Sequence, residues 1–171
     1  EVQAWFNAVV EKMFFTMHQS NFYSCIGEAF LDYTSFGTIC IMVDEDDMTT
    51  PNFNGIIYKS MPIGEFVFAE DRRGVPDTLF WEYKLTARQA AQQFGFKNLP
   101  EVVREAAEEK PDEEYDFLRV VLPAEDYYSK KRRGKETKPW TAIDIFKSGK
   151  EKVAESGYNE FPYAIGRFAK E

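Results

Sequence analysis

Histidine occurs once in this chain, at His18, and cysteine twice, at Cys25 and Cys40. One imidazole and two thiols fall short of the four ligands that a structural zinc site takes. Two cysteines are also too few for a disulfide scaffold. No apolar run approaches the roughly 20 residues that a membrane-crossing helix needs, so no membrane span is expected. Positive charge is in deficit: 21 Lys and Arg against 29 Asp and Glu leave a formal net charge of -8. That balance argues against the domain as a whole gripping a phosphate backbone. The P-loop, GxGxxG, GxSxG and HExxH patterns are all missing, and with them the commonest nucleotide, hydrolase and metalloprotease signatures.

What is present is the material of a core. The 171 residues are 44% hydrophobic and 16% aromatic. Burying that many Phe, Tyr and Trp side chains repays the ordering entropy of a folded chain, which excludes intrinsic disorder. The length fits one domain, residues 1–171. The chain begins at Glu1 without an initiator Met or a leader pattern, opens inside a helical periodicity, and stops just after Arg167, Phe168 and Ala169. It is therefore read as part of a longer protein with no visible signal peptide.

The first segment is strongly periodic. Val2, Trp5, Phe6, Val9, Val10, Met13, Phe14 and Met17 recur at the spacing of one helix face. A second helix is expected after Ser20 or Asn21, either of which can cap free N–H groups, with Phe22, Cys25, Ile26, Ala29, Phe30 and Tyr33 on its apolar side. Two such helices in succession predict an antiparallel pair packed on something apolar. The β-branched run Thr38–Val43 supplies a strand, and Ile56–Tyr58 a short second one. Glu65–Ala69 and Thr78–Tyr83 read as a hairpin around Gly74 and Pro76. Thr86 caps a helix that Gly95 stops, and Pro100, in the first-turn position, opens another that runs to about Lys110. Phe117–Leu122, with Arg119 inside it, and Trp140–Phe146 are further strands, and the tail from Tyr158 to Phe168 is extended. The class is α+β: N-terminal amphipathic helices packed on a mainly antiparallel sheet, with further helices in the middle.

Few residues invite chemistry. His18 lies at a helix end, where the macrodipole favours a cation, and it lacks the partners a general base needs. Cys25 and Cys40 fall on apolar stripes and read as small buried hydrophobes. Asp44, Glu45, Asp46 and Asp47 are hard oxygen ligands, but the EF-hand spacing is missing and a solvated turn is the simpler reading. Glu70, Asp71 and the run Glu105–Glu114 are read in the same way. The sharpest enzyme reading, a metal-dependent nuclease built on Asp44–Asp47, has nothing else to support it. The one concentrated basic feature is the loop containing Lys130, Lys131, Arg132, Arg133, Gly134 and Lys135. It is either a solvated loop or a contact for DNA or an acidic partner. No catalytic residue, metal or cofactor is expected.

Taken in order, several residues look familiar. Ser20, Asn21, Phe22 and Tyr23 follow a Trp-bearing helix, and Asp32 to Thr38 carry a D-x-x-x-F-G-T run that leads into a strand. Thr86, Ala87, Arg88 and Gln89, then Phe94 and Gly95, come next. Asn159, Glu160, Phe161, Pro162, Gly166, Arg167 and Phe168 close the set. This ordered set, spread over nearly the whole chain, resembles the head-to-tail connector (portal) proteins of T7-like short-tailed bacteriophages. The resemblance implies a non-catalytic structural subunit of a dodecameric ring at one capsid vertex, in the virion, assembled in the cytoplasm of the bacterial host. Its partners would be other copies of itself, capsid protein, the terminase motor, tail adaptors, and DNA passing through without sequence specificity. The chain would be the wing region, with stem and clip lying elsewhere. The other reading is a protein-interaction module of a prophage or bacterium that docks a partner through its aromatic face and forms no ring.

Overall fold

The computed structural model describes residues 2–45, 55–128 and 138–168. In chain order the elements are α1 (Val2–Gln19), α2 (Phe22–Phe36), β1 (Thr38–Glu45), β2 (Ile56–Ser60), β3 (Phe66–Glu70), β4 (Pro76–Thr86), α3 (Ala87–Phe94), α4 (Glu101–Glu109), β5 (Glu114–Pro123), α5 (Ala124–Tyr127), β6 (Trp140–Phe146), β7 (Glu151–Tyr158) and β8 (Tyr163–Arg167). The α+β class is observed, and both sheets are antiparallel throughout. The chain divides into two compact units, residues 1–63 with 162–171, and residues 64–161.

The first unit is a three-stranded sheet in the order β2-β1-β8, with α2 laid on it. Its core is Cys25 and Ala29 of α2 against Ile41 of β1, walled by Ile26, Ile39, Val43 and Tyr58. Helix α2 stops because Gly37 takes the left-handed conformation (φ 72°) and donates its N–H to the Tyr33 carbonyl, a backbone state that glycine enters at no steric cost. Gly166 is required by proximity instead. It pairs with Ile39 across β1 and β8, and a Cβ there would lie 2.9 Å from Ile39 Cγ2.

Two expectations for this unit are corrected. Asn21 stands at the head of α2 but does not cap it. Its side-chain amide pairs with the backbone of Tyr58, Nδ2 donating to the carbonyl at 2.6 Å and Oδ1 accepting the N–H at 2.9 Å. Ser20 hydroxyl accepts the Phe22 N–H at 3.2 Å and donates to the Met17 carbonyl at 2.7 Å. The amide of Asn21 is therefore spent on fixing strand β2, a tertiary use that a helix-start pattern does not reveal. The second correction concerns α1. Only α2 supplies the sheet with buried residues, and among the described residues none in α1 is buried.

The second unit is a five-stranded meander in the order β3-β4-β5-β6-β7. The β3–β4 hairpin forms as expected, with Gly74 at φ 75°. Asp71 does more than solvate it: Oδ1 accepts the N–H groups of Arg73 (2.8 Å) and Val75 (3.0 Å), so the carboxylate organises the turn. Those hydrogen bonds, with that from Arg73, hold its acidity stronger than an ordinary aspartate's. Helix α3 begins with a capping box. Gln89 N–H donates to Thr86 Oγ1 at 3.3 Å, and Thr86 N–H donates to Gln89 Oε1 at 2.9 Å. Pro100 is the residue before α4 rather than its first turn. Phe117 of β5 is fully buried, with the rings of Phe94, Tyr83 and Phe146 centred 5.4, 5.9 and 5.9 Å away, so α3 is fastened to the sheet through aromatics. Strand β7 and the short α5 were not expected from the pattern. In β7 the run EKVAESGY offers only Val153 as a fully buried apolar residue, so period-two alternation is absent.

Candidate functional site

The basic loop residues Lys130, Lys131, Arg132, Arg133 and Lys135 lie outside the described residues, as do Asp46 and Asp47. Asp44 and Glu45 close β1 in register with Ile57 and Ile56, and Asp44 Oδ1 accepts the Glu45 N–H at 2.9 Å. Among the described residues no group of three or more His, Cys, Asp or Glu side chains is placed to hold a metal ion. His18 sits in the last turn of α1 with its ring 5.1 Å from that of Tyr23 and tilted against it by 31° at the helix junction. Both thiols are buried as expected. Burial and the neighbouring Glu28 push Cys25 up, and burial pushes Cys40 up to about 12. At neutral pH both are protonated and poorly nucleophilic.

The strongest electrostatic feature is one the sequence pattern does not expose. Arg119 of β5 lies directly across from Asp144 of β6, with Nη1 3.4 Å from Oδ2. Tyr83 of β4 donates its hydroxyl to Asp144 Oδ1 at 2.9 Å, and Arg119 Nη2 donates to the Tyr158 hydroxyl of β7 at 2.7 Å. Four side chains from four successive strands thus form one chain of hydrogen bonds, with Asp144 only 3% exposed. Burial raises the Asp144 carboxyl above its ordinary range, a shift that Arg119 and then Tyr83 oppose. Burial also raises Tyr83, helped by the Asp144 charge, so it is a hydrogen-bond donor at all physiological pH. The arrangement can pair charge and fix strand register; its ionisable groups are already committed to one another. The sequence signal for it is a charge set in an apolar run, Arg119 within Phe117–Leu122 and Asp144 within Trp140–Phe146.

The second feature is a surface. Trp5, Phe6, Val10, Met13 and Phe14 of α1 are all exposed, as are Phe30, Leu31 and Phe36 of α2. Aromatic side chains left in water at this density are unusual for a single chain and mark contact surfaces. Among the described residues no helix is long and apolar enough to cross a membrane.

The residues that carry the phage resemblance fall on the structural punctuation just described. Asn21 fixes β2, Gly37 ends α2, Thr86 and Gln89 open α3, and Gly166 lets β8 close on β1. Pro162 accepts the Val43 N–H at 2.8 Å beside that last pair. Comparison with known proteins points the same way. The chain is 29% identical over 171 residues to the portal protein of Salmonella phage epsilon15, and 25% identical over 173 residues to a probable portal protein of Bordetella phage BPP-1. Each match covers 98% of this chain and 30% of the relative, so the chain spans under a third of their length. The family model for the bacteriophage head to tail connecting protein matches residues 1–171. With its whole length accounted for by that model, the chain belongs to the bacteriophage head to tail connecting protein family.

Proposed function

We propose that this chain is a segment of a phage portal subunit and that its role is structural, without catalysis of its own. Subunits join as a closed homo-oligomeric ring, a dodecamer, which serves as the conduit for DNA during packaging and ejection. The ring is a component of the virion, assembled in the bacterial host cytoplasm, and offers docking surfaces to capsid protein, terminase and tail adaptors. The segment is read as the wing, a single α+β region of the longer subunit. The observation that carries the proposal is the family match over all 171 residues. The net charge of -8 supports it, because a conduit through which DNA slides must not hold the phosphate backbone tightly.

The test is electron microscopy of the complete protein, purified without tags. The expected result is a ring with a central hole and twelve-fold averages. A preparation that stays as single small particles at high concentration overturns the proposal. Lys130, Lys131, Arg132, Arg133 and Lys135 are proposed to touch passing DNA or an acidic partner. Arg132→Ala with Arg133→Ala is expected to leave the thermal transition in place and to lower DNA retention or partner binding. Unchanged retention and partner binding exclude the contact.

A further inference from the structure

We infer that the hydrogen bond from Arg119 to Tyr158 is a register lock: it holds β7 in one of two pairings with β6 that the side chains of β7 do not otherwise tell apart. The native pairing contains a bulge. Trp140 to Asp144 pair with Tyr158 to Ala154, then Ile145 pairs with Lys152, so Val153 is an extra residue on β7. The competing pairing carries the Ile145–Lys152 register through to the other end. It has no bulge at Val153, sets Thr141 against Ser156 in place of Gly157, and turns residues 154–158 to the opposite face of the sheet.

Hydrophobic burial does not choose between the two. Glu155 and Ser156 are exposed, and Ala154 and Gly157 are small and only half-buried, so no large apolar side chain between the bulge and Tyr158 opposes the flip. A strand of this makeup is weakly specified in register. The choice is made at its end. By register Arg119, Asp144 and Tyr158 share one face, and Arg119 Nη2 reaches past β6 to donate to the Tyr158 hydroxyl at 2.7 Å. Asp144 pins that guanidinium from the middle strand. In the slipped pairing the Tyr158 hydroxyl lies on the wrong face and the bond is lost. Gly157 works in the same direction. A Cβ there would lie 3.0 Å from the Trp140 carbonyl oxygen and 3.2 Å from Lys138 Cβ, and the slip would bring Ser156 to that place. Glu155 also accepts a hydrogen bond from Tyr128, an exposed contact that water replaces at little cost. A single buried polar contact that selects register is the best-attested use of such groups. Here it acts on a strand two places away in the sheet.

The test is disulfide trapping in the complete protein, mapped by peptide mass. Ser156→Cys is combined in turn with Ala142→Cys, its native partner, and with Thr141→Cys, its partner in the slipped pairing. Ile145→Cys with Lys152→Cys, partners in both, is the control. Side chains on opposite faces cannot close a disulfide, so the yields read the register directly. With Tyr158 intact, the 142–156 bond is expected to form and the 141–156 bond to stay at background. Tyr158→Phe keeps the ring and the Arg119–Asp144 pair and removes only the hydroxyl. It is expected to raise the 141–156 yield several-fold while the control is unchanged. A 141–156 yield no higher in Tyr158→Phe than with Tyr158 intact overturns the inference. Loss of all three bonds in that variant overturns it too, because Tyr158 would then hold β7 on the sheet and not its register.

Discussion

Arg119 and Asp144 face each other across β5 and β6 with nitrogen and oxygen 3.4 Å apart, side chains 13% and 5% exposed. A pair this dry has a cost in desolvation that its attraction only roughly repays. Removing one partner is different, because it leaves a charge stranded in the sheet. Arg119→Met is expected to destabilise the fold by ~3–5 kcal/mol, read by urea denaturation. The double variant Arg119→Met with Asp144→Leu should recover much of that loss. If the single variant unfolds at the wild-type midpoint, the pair carries no structural weight.

The same pair sets a pH dependence. The Asp144 carboxyl is raised above its ordinary 3.8 by burial, and Arg119 opposes the rise. A carboxyl raised by folding binds its proton more tightly in the native state, so its contribution favours the fold at low pH and is lost as pH rises through the native pKa. Without Arg119 the carboxyl climbs further. Arg119→Met should therefore lose stability more steeply than wild type as pH rises from the ordinary aspartate range toward neutrality. Parallel stability–pH curves for the two proteins would contradict this.

Gly166 and Ile39 test the closing pair of the first unit. A Cβ at position 166 would meet Ile39 Cγ2 at 2.9 Å, so Gly166→Ala overpacks the contact and is expected to cost ~1–3 kcal/mol. Ile39→Ala removes the obstructing methyl and carries its own cavity cost. The two changes together should cost less than their sum, a coupling that a double-mutant cycle measures directly. Strict additivity would show that the neighbour yields freely.

The thiols give a simple readout of native packing. With Cys40 pushed up to about 12 and Cys25 also raised, neither is a thiolate at neutral pH. Labelling by a disulfide reagent should be slow in the native protein and complete for two thiols per chain once it is denatured. Fast native labelling of either cysteine would mean that its unit opens locally.

Much of this fold is legible in the sequence because local physics dictates it. The helical stripes, the capping residues Thr86 and Gln89, the Gly74 turn and the alternation of β4 are all short-range signals. What the pattern misses is long-range. Asn21 has a cap's chemistry, yet its amide reaches Tyr58. Arg119 is visible as a charge inside a strand, but its match with Asp144 depends on β5–β6 register, which no local pattern encodes. Strand β7 pairs with β6 through its backbone while its side chains lack alternation. An amphipathic stripe shows that α1 has a face to bury and does not say in what.

The pairing of β1 with β8 joins residues far apart in sequence, Thr38 with Arg167, and everything in the second unit lies between them. On the ribosome the two units therefore mature in reverse order of their first appearance. Residues 64–161 emerge as an uninterrupted stretch and can complete their meander at once. The earlier helices and β1 must wait, with one sheet edge open, until Tyr163–Arg167 is made. Closing that long loop costs little extra free energy, since the penalty grows only with the logarithm of length, but it is slow, since a contact so distant in sequence forms late. The sheet of the first unit thus gains its third strand only after the whole of the second unit has been made.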